Sequence, residues 1–190
     1  MKEMKSSRRS IIFGASAASA TALSREPALA KPIAKKAPNL PPSQGYVLGA
    51  AGGEHLVHFR NPGNIFIKAS PLQGARNLAL GTQEVPVGAG IPIHRHPRMD
   101  ESFYVLEGRG TFILNEVRHP FEKGGTIFIP RTAWHGFENP DQQLLLLWIV
   151  MPAGLDAFFR ETCNPPGQPK KELTRDQVFA IARKHGTEFK

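Results

Sequence analysis

A single cysteine, Cys163, stands in this 190-residue chain. No intrachain disulfide can form, even in an oxidising compartment, and Cys163 reads as a plain thiol rather than a ligand. Tyrosine and tryptophan are scarce, with two of each. Acidic residues number 16 against 24 Lys and Arg, a formal net charge of +8. That excess is scattered and is not interleaved with aromatics, so a nucleic-acid partner is not expected. No apolar run reaches the ~18 residues of a membrane-crossing helix. No membrane insertion is expected once the N-terminal segment is gone.

What is abundant is Gly and Pro, 18 and 17 residues. That suits many short strands joined by turns. Hydrophobic content is 41%, enough for one buried core. The N-terminus has a different character. Residues 1–30 carry Lys2, Lys5, Arg8 and Arg9, then a weakly apolar Ala- and Ser-rich stretch, then Ala28-Leu29-Ala30. Ser7-Arg8-Arg9-Ser10-Ile11-Ile12 is similar to a twin-arginine export signal, and cleavage after Ala30 is expected. The expected location is periplasmic or secreted. Removing residues 1–30 leaves 19 basic and 14 acidic residues, a net +5. Residues 31–45, with Pro32, Pro38, Pro41 and Pro42, read as a Pro-rich linker.

From residue 46 the chain is expected to be all-β. Strands are expected near 46–50, 54–59, 64–69, 76–85, 102–107, 110–117, 126–129, 134–138 and 143–151. Glu107-Gly108-Arg109-Gly110 and Lys123-Gly124-Gly125 read as hairpin turns. This spacing predicts a sandwich or a barrel. The run Leu144–Val150 is apolar on both faces, as for a strand buried on both sides. Two short helices are expected to close the chain. The first runs from Gly154 to Thr162; the second opens at the capping box Thr174-Arg175-Asp176-Gln177 and stops at Gly186.

The chemistry is concentrated in two spaced motifs. One is Gly88-x5-His94-x-His96-x4-Glu101-x6-Gly108; the other is Gly124-x5-Pro130-x-Thr132-x2-His135-x3-Asn139. On a strand, residues two apart face the same way, so His94 and His96 point together and Arg95 points away. Three imidazoles and one carboxylate make a ligand set for one divalent transition metal. Fe, Mn, Ni, Co, Cu and Zn all suit it. Export of a folded protein would place metal loading in the cytosol and favour Fe or Mn. Phe103 shares the face of Glu101 by alternation, and Phe112 and Phe137 are expected beside it as substrate-pocket walls. His55 and His58, three apart on an expected strand, make a poor ligand pair, and His119 and His185 are expected to be uninvolved.

By these two motifs the chain resembles the cupin superfamily, over residues 75–152 most clearly. The resemblance implies a jelly-roll barrel (a double-stranded β-helix) over residues 46–190 with a C-terminal helical extension. It carries the family's four metal ligands onto His94, His96, Glu101 and His135. One departure is visible: Thr132 stands where the family's second motif usually has Gly. The tail, with Pro152-Ala153-Gly154 and His185-Gly186-Thr187-Glu188-Phe189, is similar to that of single-domain bacterial cupins related to quercetin 2,3-dioxygenases. That likeness implies a dioxygenase for a small phenolic or enolic, flavonol-like substrate, with Glu101 also taking a proton. A decarboxylase or isomerase of a small acid stands as the enzyme rival. A non-catalytic module binding metal or a small ligand stands as the rival from another class. A homodimer is expected, with the strands of residues 46–70 covering the partner's sheet.

Overall fold

The computed structural model describes residues 44–139 and 141–190. The export segment and all but the last two residues of the linker lie outside these. The described residues form two antiparallel sheets facing each other across one apolar core. In chain order the strands are β1 (Glu54–Val57), β2 (Asn64–Ala69), β3 (Ala79–Val85), β4 (Gly90–Arg95), β5 (Asp100–Glu107), β6 (Arg109–Leu114), β7 (Val117–Glu122), β8 (Thr126–Ile129), β9 (His135–Glu138) and β10 (Leu144–Met151). Two helices follow, α1 (Leu155–Thr162) and α2 (Arg175–Lys184), and then the two-residue strand β11 (Glu188–Phe189). One sheet is ordered β1-β2-β3-β10-β5-β8, the other β11-β4-β9-β6-β7. This is the expected all-β jelly-roll barrel with short C-terminal helices.

The apolar run of β10 lies in the middle of its sheet, paired with β3 and β5. Leu144, Leu146, Trp148 and Val150 point into the core and are almost fully buried. Gly81 lies opposite Trp148 in that register. A Cβ there would overlap the Trp148 ring and the Phe66 carbonyl, so the indole is buried because β3 has glycine at that point. Both helices form where expected. Thr174 accepts from the Gln177 backbone, and the Gln177 side chain accepts from the Thr174 N–H, a complete capping box.

Several expectations are corrected. Residues 46–50 are not a strand. They are pinned instead by side chains, with the Tyr46 hydroxyl donating to the Lys68 carbonyl (2.6 Å) and Lys68 Nζ to that of Ala50 (2.7 Å). The expected strand 110–117 ends at Leu114 and reverses at Asn115-Glu116, both at positive φ (47° and 71°). Such a turn usually announces itself with a glycine; without one it read as continuous strand, and β7 was missed. The turns at Gly108 and Gly124 are not hairpins, because β5 and β6, like β7 and β8, lie in different sheets. The strand implied by the alternation of His94 and His96 is β4, which stops at Arg95, and β11 is too short, at two residues, to leave a sequence signal.

Candidate metal centre

β4 and β9 are neighbours in one sheet, and β5 faces them from the other. His94 pairs directly with His135 across β4 and β9. His96 follows one residue past β4, and Glu101 is the second residue of β5. The four side chains His94, His96, Glu101 and His135 thereby meet, with one ligand atom from each lying within 4.8 Å of all the others. All four are buried. Nε2 of His135 lies 3.0 Å from Glu101 Oε2, and Nε2 of His96 lies 3.2 Å from the same oxygen.

The outward nitrogens fix the tautomers. Nδ1 of His94 donates to the Pro92 carbonyl (2.8 Å) and Nδ1 of His135 to that of Ala133 (2.9 Å). Nδ1 of His96 lies 3.1 Å from Thr187 Oγ1, a hydroxyl able to accept its proton. With a proton on each Nδ1, all three Nε2 atoms face inward with lone pairs open to a metal. Nε2 of His96 is buried without a well-aligned hydrogen-bond partner. An orphaned buried acceptor beside two more imidazoles and a carboxylate fits a divalent cation.

Charge at the site is already set for metal. His94 is held well below its usual pKa, chiefly by burial and then by the neighbouring His135 and His96. Burial alone would raise Glu101, but His96 and His135 outweigh it and hold the carboxyl well below its ordinary range. A neutral His94 and an ionised Glu101 are the forms in which the two groups bind a metal.

The turn carrying the second motif is strained at the position where it departs from the family pattern. Thr132 sits at φ 70°, in the left-handed region where a β-branched residue is an outlier. Its N–H donates to the His96 carbonyl (3.0 Å), tying the turn to a ligand. Replacing Thr132 by glycine is expected to relieve this strain and stabilise the fold by about 1 kcal/mol. A lower denaturant midpoint for the glycine variant would contradict that reading.

The ligands line a small enclosed cavity of about 40 Å³. Its other walls include Phe103, His58, Arg60, Gln83 and, from the tail, Phe158, Thr187 and Phe189. Of the three expected pocket residues, Phe103 lines it. Phe112 and Phe137 do not; they pack in the core behind it, Phe112 stacked 6.1 Å from His135 and Phe137 at 6.2 Å from Phe103. A much larger open cleft of about 820 Å³ runs between β7 and β8 and takes in Phe112, but none of the four ligands. The chemistry belongs to the smaller cavity, where the donors are.

Other expectations resolve as follows. His55 stacks on Phe66 away from the site, His119 lies exposed on β7, and His185 bonds Glu161 (2.7 Å). Arg131 pairs with Asp100 (3.3 Å), and Glu138 is turned outward to Arg118 (2.6 Å). Arg98 is exposed. His58 departs from expectation: β1 ends at Val57, so strand alternation does not govern it, and its ring is buried in the cavity wall. The tail is also more than packing. Phe189 lies 5.6 Å from the His94 ring, β11 pairs with β4 at His94 and Arg95, and Arg95 bonds Glu188 (2.7 Å). Thr187 could not be found from sequence, since a lone threonine 91 positions from His96 carries no pattern.

Residues 81–150 match the cupin-domain family model. Those residues are similar to a cupin domain. The expected superfamily resemblance is thus supported across both motifs. A protein of Methanocaldococcus jannaschii is 42% identical over 55 residues, 29% of this chain and 44% of that one. Protein SchB of Streptomyces halstedii is 35% identical over 66 residues, 35% of this chain and 48% of its own. The chain thus spans about half the length of the curated relatives it matches. Among solved structures, a predicted oxalate decarboxylase from Thermotoga maritima superposes with a TM-score of 0.50 at 20% identity, covering 57% of this chain and all of that one. That likeness concerns the cupin fold alone.

Proposed function

We propose that this cupin is a metal-dependent enzyme acting on a small molecule that offers an oxygen donor to the ion. The observation that carries this is the buried three-histidine, one-glutamate cluster, with each imidazole held by its outer nitrogen so that the inner one is free. A bound ion would supply Lewis-acid polarisation of a substrate enol or hydroxyl. Fe or Mn remains favoured, on the export argument above. Phe103, Phe158 and Phe189 keep water from the cavity. Glu101, with its proton affinity so lowered, is better suited to a fixed charge and ligand than to a base.

Oxidation of a small phenolic or enolic compound by dioxygen is the first reading. Decarboxylation or isomerisation of a small acid is the second, favoured by two features of the cavity: its volume of about 40 Å³ and the cation Arg60 in its wall. A planar flavonol does not fit so small a space without rearrangement of the walls. Oxygen-electrode traces on metal-loaded protein with catechols, flavonols and enolic acids decide between them. Oxygen uptake supports the oxygenase; carbon dioxide release or isomer formation without uptake supports the second reading. Bound metal with no turnover on either panel leaves a ligand-binding module.

We also propose a homodimer. The outer face of the β10 sheet exposes Tyr104, Phe128 and Met151, at 44%, 61% and 49%. Leu147 and Ile149 lie between them in the cross-strand rows. Such a face is normally covered, here by the partner's residues 46–70. Light scattering at micromolar concentration should give twice the chain mass; a monomer contradicts the proposal. Export through Arg8-Arg9 is likewise proposed: changing both to lysine should leave an uncleaved cytoplasmic precursor, and normal export would refute it.

A further inference from the structure

A cavity of about 40 Å³ holds little more than one water, whose share of liquid volume is ~30 Å³. An ion together with a substrate needs more room, so part of the wall must move. Most of the aromatic wall is firmly built. Phe103 comes from β5, which is paired on both sides, and Phe158 and Phe159 come from α1; all three are buried members of the apolar core. Phe189 differs. It is only partly buried, and it sits on β11, two residues long and paired among the described residues with β4 alone.

The Phe189 ring lies 5.1 Å from Phe179 of α2 and 5.6 Å from the ligand His94. The neighbours of Phe189 are tied down mainly at the surface. Glu188 accepts from Arg95 (2.7 Å), the two side chains being 39% and 36% exposed, and Lys190 bonds the exposed Glu116 (3.1 Å). Exposed ion pairs of this kind are worth little. One further backbone bond runs from the Lys190 N–H to the Ile93 carbonyl (3.0 Å). Thr187 is anchored differently. It is buried, and its N–H donates to the Ala182 carbonyl (2.8 Å), closing α2 through Gly186 at φ 79°. The fixed part therefore ends at Thr187. Residues 188–190 form a strap held by short edge pairing, one ring and surface contacts, the kind of segment that opens locally at low cost.

We propose that residues 188–190 are a gate over the metal centre. With the strap on β4, Phe189 closes the cavity; when the strap lifts, an ion and its small oxygen-donor ligand reach His94. What passes through the gate rests on the metal-centre reading; the movement itself does not. His94 is the ligand uncovered first, because it is both the pairing partner of Phe189 and the cluster ring nearest to it. His96 keeps its contact to Thr187, which stays on α2. Reclosing shuts bulk water out around a bound ligand.

The test locks the strap in full-length protein with Arg95→Cys and Glu188→Cys together. These residues are register partners across β4 and β11. The Lys190–Ile93 bond two residues on makes them a hydrogen-bonded pair, with Cα atoms ~5.5 Å apart and so within disulfide reach. The native Cys163 is buried. The readout is carbethoxylation of metal-free protein by diethyl pyrocarbonate, resolved residue by residue by peptide mass spectrometry, with the exposed His119 as internal reference. The oxidised, locked protein should modify His94 at least about tenfold more slowly than its reduced form, with His119 unchanged. Phe189→Ala should speed His94 about tenfold over wild type, since it removes the buried part of one ring. Equal His94 rates in the locked and reduced forms overturn the gate: entry then lies elsewhere in the wall. Cobalt uptake, measured in parallel, judges the metal reading separately. A wild type that takes up no cobalt sinks that reading, while the modification rates still decide the gate.

Discussion

Alanine in place of His96 or His135 is expected to lower metal affinity by more than about 100-fold while the barrel stays folded. Loss of an outer-sphere partner alone typically costs 10–100-fold, and a direct ligand is worth more. Both rings are almost completely buried, yet they border a cavity rather than fill the core. Breaking a buried charge pair normally costs ~3–5 kcal/mol, because the other charge is stranded. Here two imidazoles share Glu101, at 3.0 and 3.2 Å, so either substitution leaves the carboxylate one partner. Elemental analysis gives the metal content, and circular dichroism with a thermal melt reports the fold. Full occupancy in either variant would remove the proposed centre. Unfolding of both would show that the cluster holds the barrel together.

Removing the last four residues, Thr187–Lys190, should weaken metal binding by about 10–100-fold and speed metal exchange. Three contacts end at once: Thr187 to His96 Nδ1 (3.1 Å), Phe189 against the His94 ring, and the β11–β4 pairing at Arg95 and His94. Thr187→Val separates these effects. It keeps the side-chain volume and deletes only the hydroxyl, so His96 is free to rotate or change tautomer, and a drop of about tenfold is expected. A competitive chelator titration measures both variants. Lys190→Ala, which loses only the exposed contact to Glu116, serves as the control and should match wild type. A Thr187→Val protein that holds metal as tightly as wild type would mean that the tail is only packing.

The ligand set was legible because its spacing is local. His94-x-His96 is read from the two-residue period of a strand, and Gly and Pro mark the turns that carry Glu101 and His135. The second helix was legible for the same reason, its capping box being four consecutive residues. What stayed hidden depends on distant pairing. That β5 and β6 fall in opposite sheets is decided by which strands they meet, β10 and β9, and nothing near Gly108 encodes it. Thr187 and Arg60 reach the cavity from the tail and from the β1–β2 loop, where no periodicity says which way a side chain points. His58 was set aside by applying strand alternation one residue past the end of β1. Thr132 shows the converse: its mismatch to the family motif was visible in the sequence, and its left-handed backbone explains why glycine is usual there.

The most direct measurement of the central claim is metal stoichiometry. The purified chain is stripped with a chelator, incubated with Mn(II), Fe(II) under exclusion of oxygen, or Co(II), freed of excess ion, and analysed for metal per polypeptide. The cluster of His94, His96, Glu101 and His135 predicts one equivalent per chain for wild type, falling towards zero when His96 or His135 is alanine. Less than a tenth of an equivalent in a folded wild type with every ion tried would contradict it.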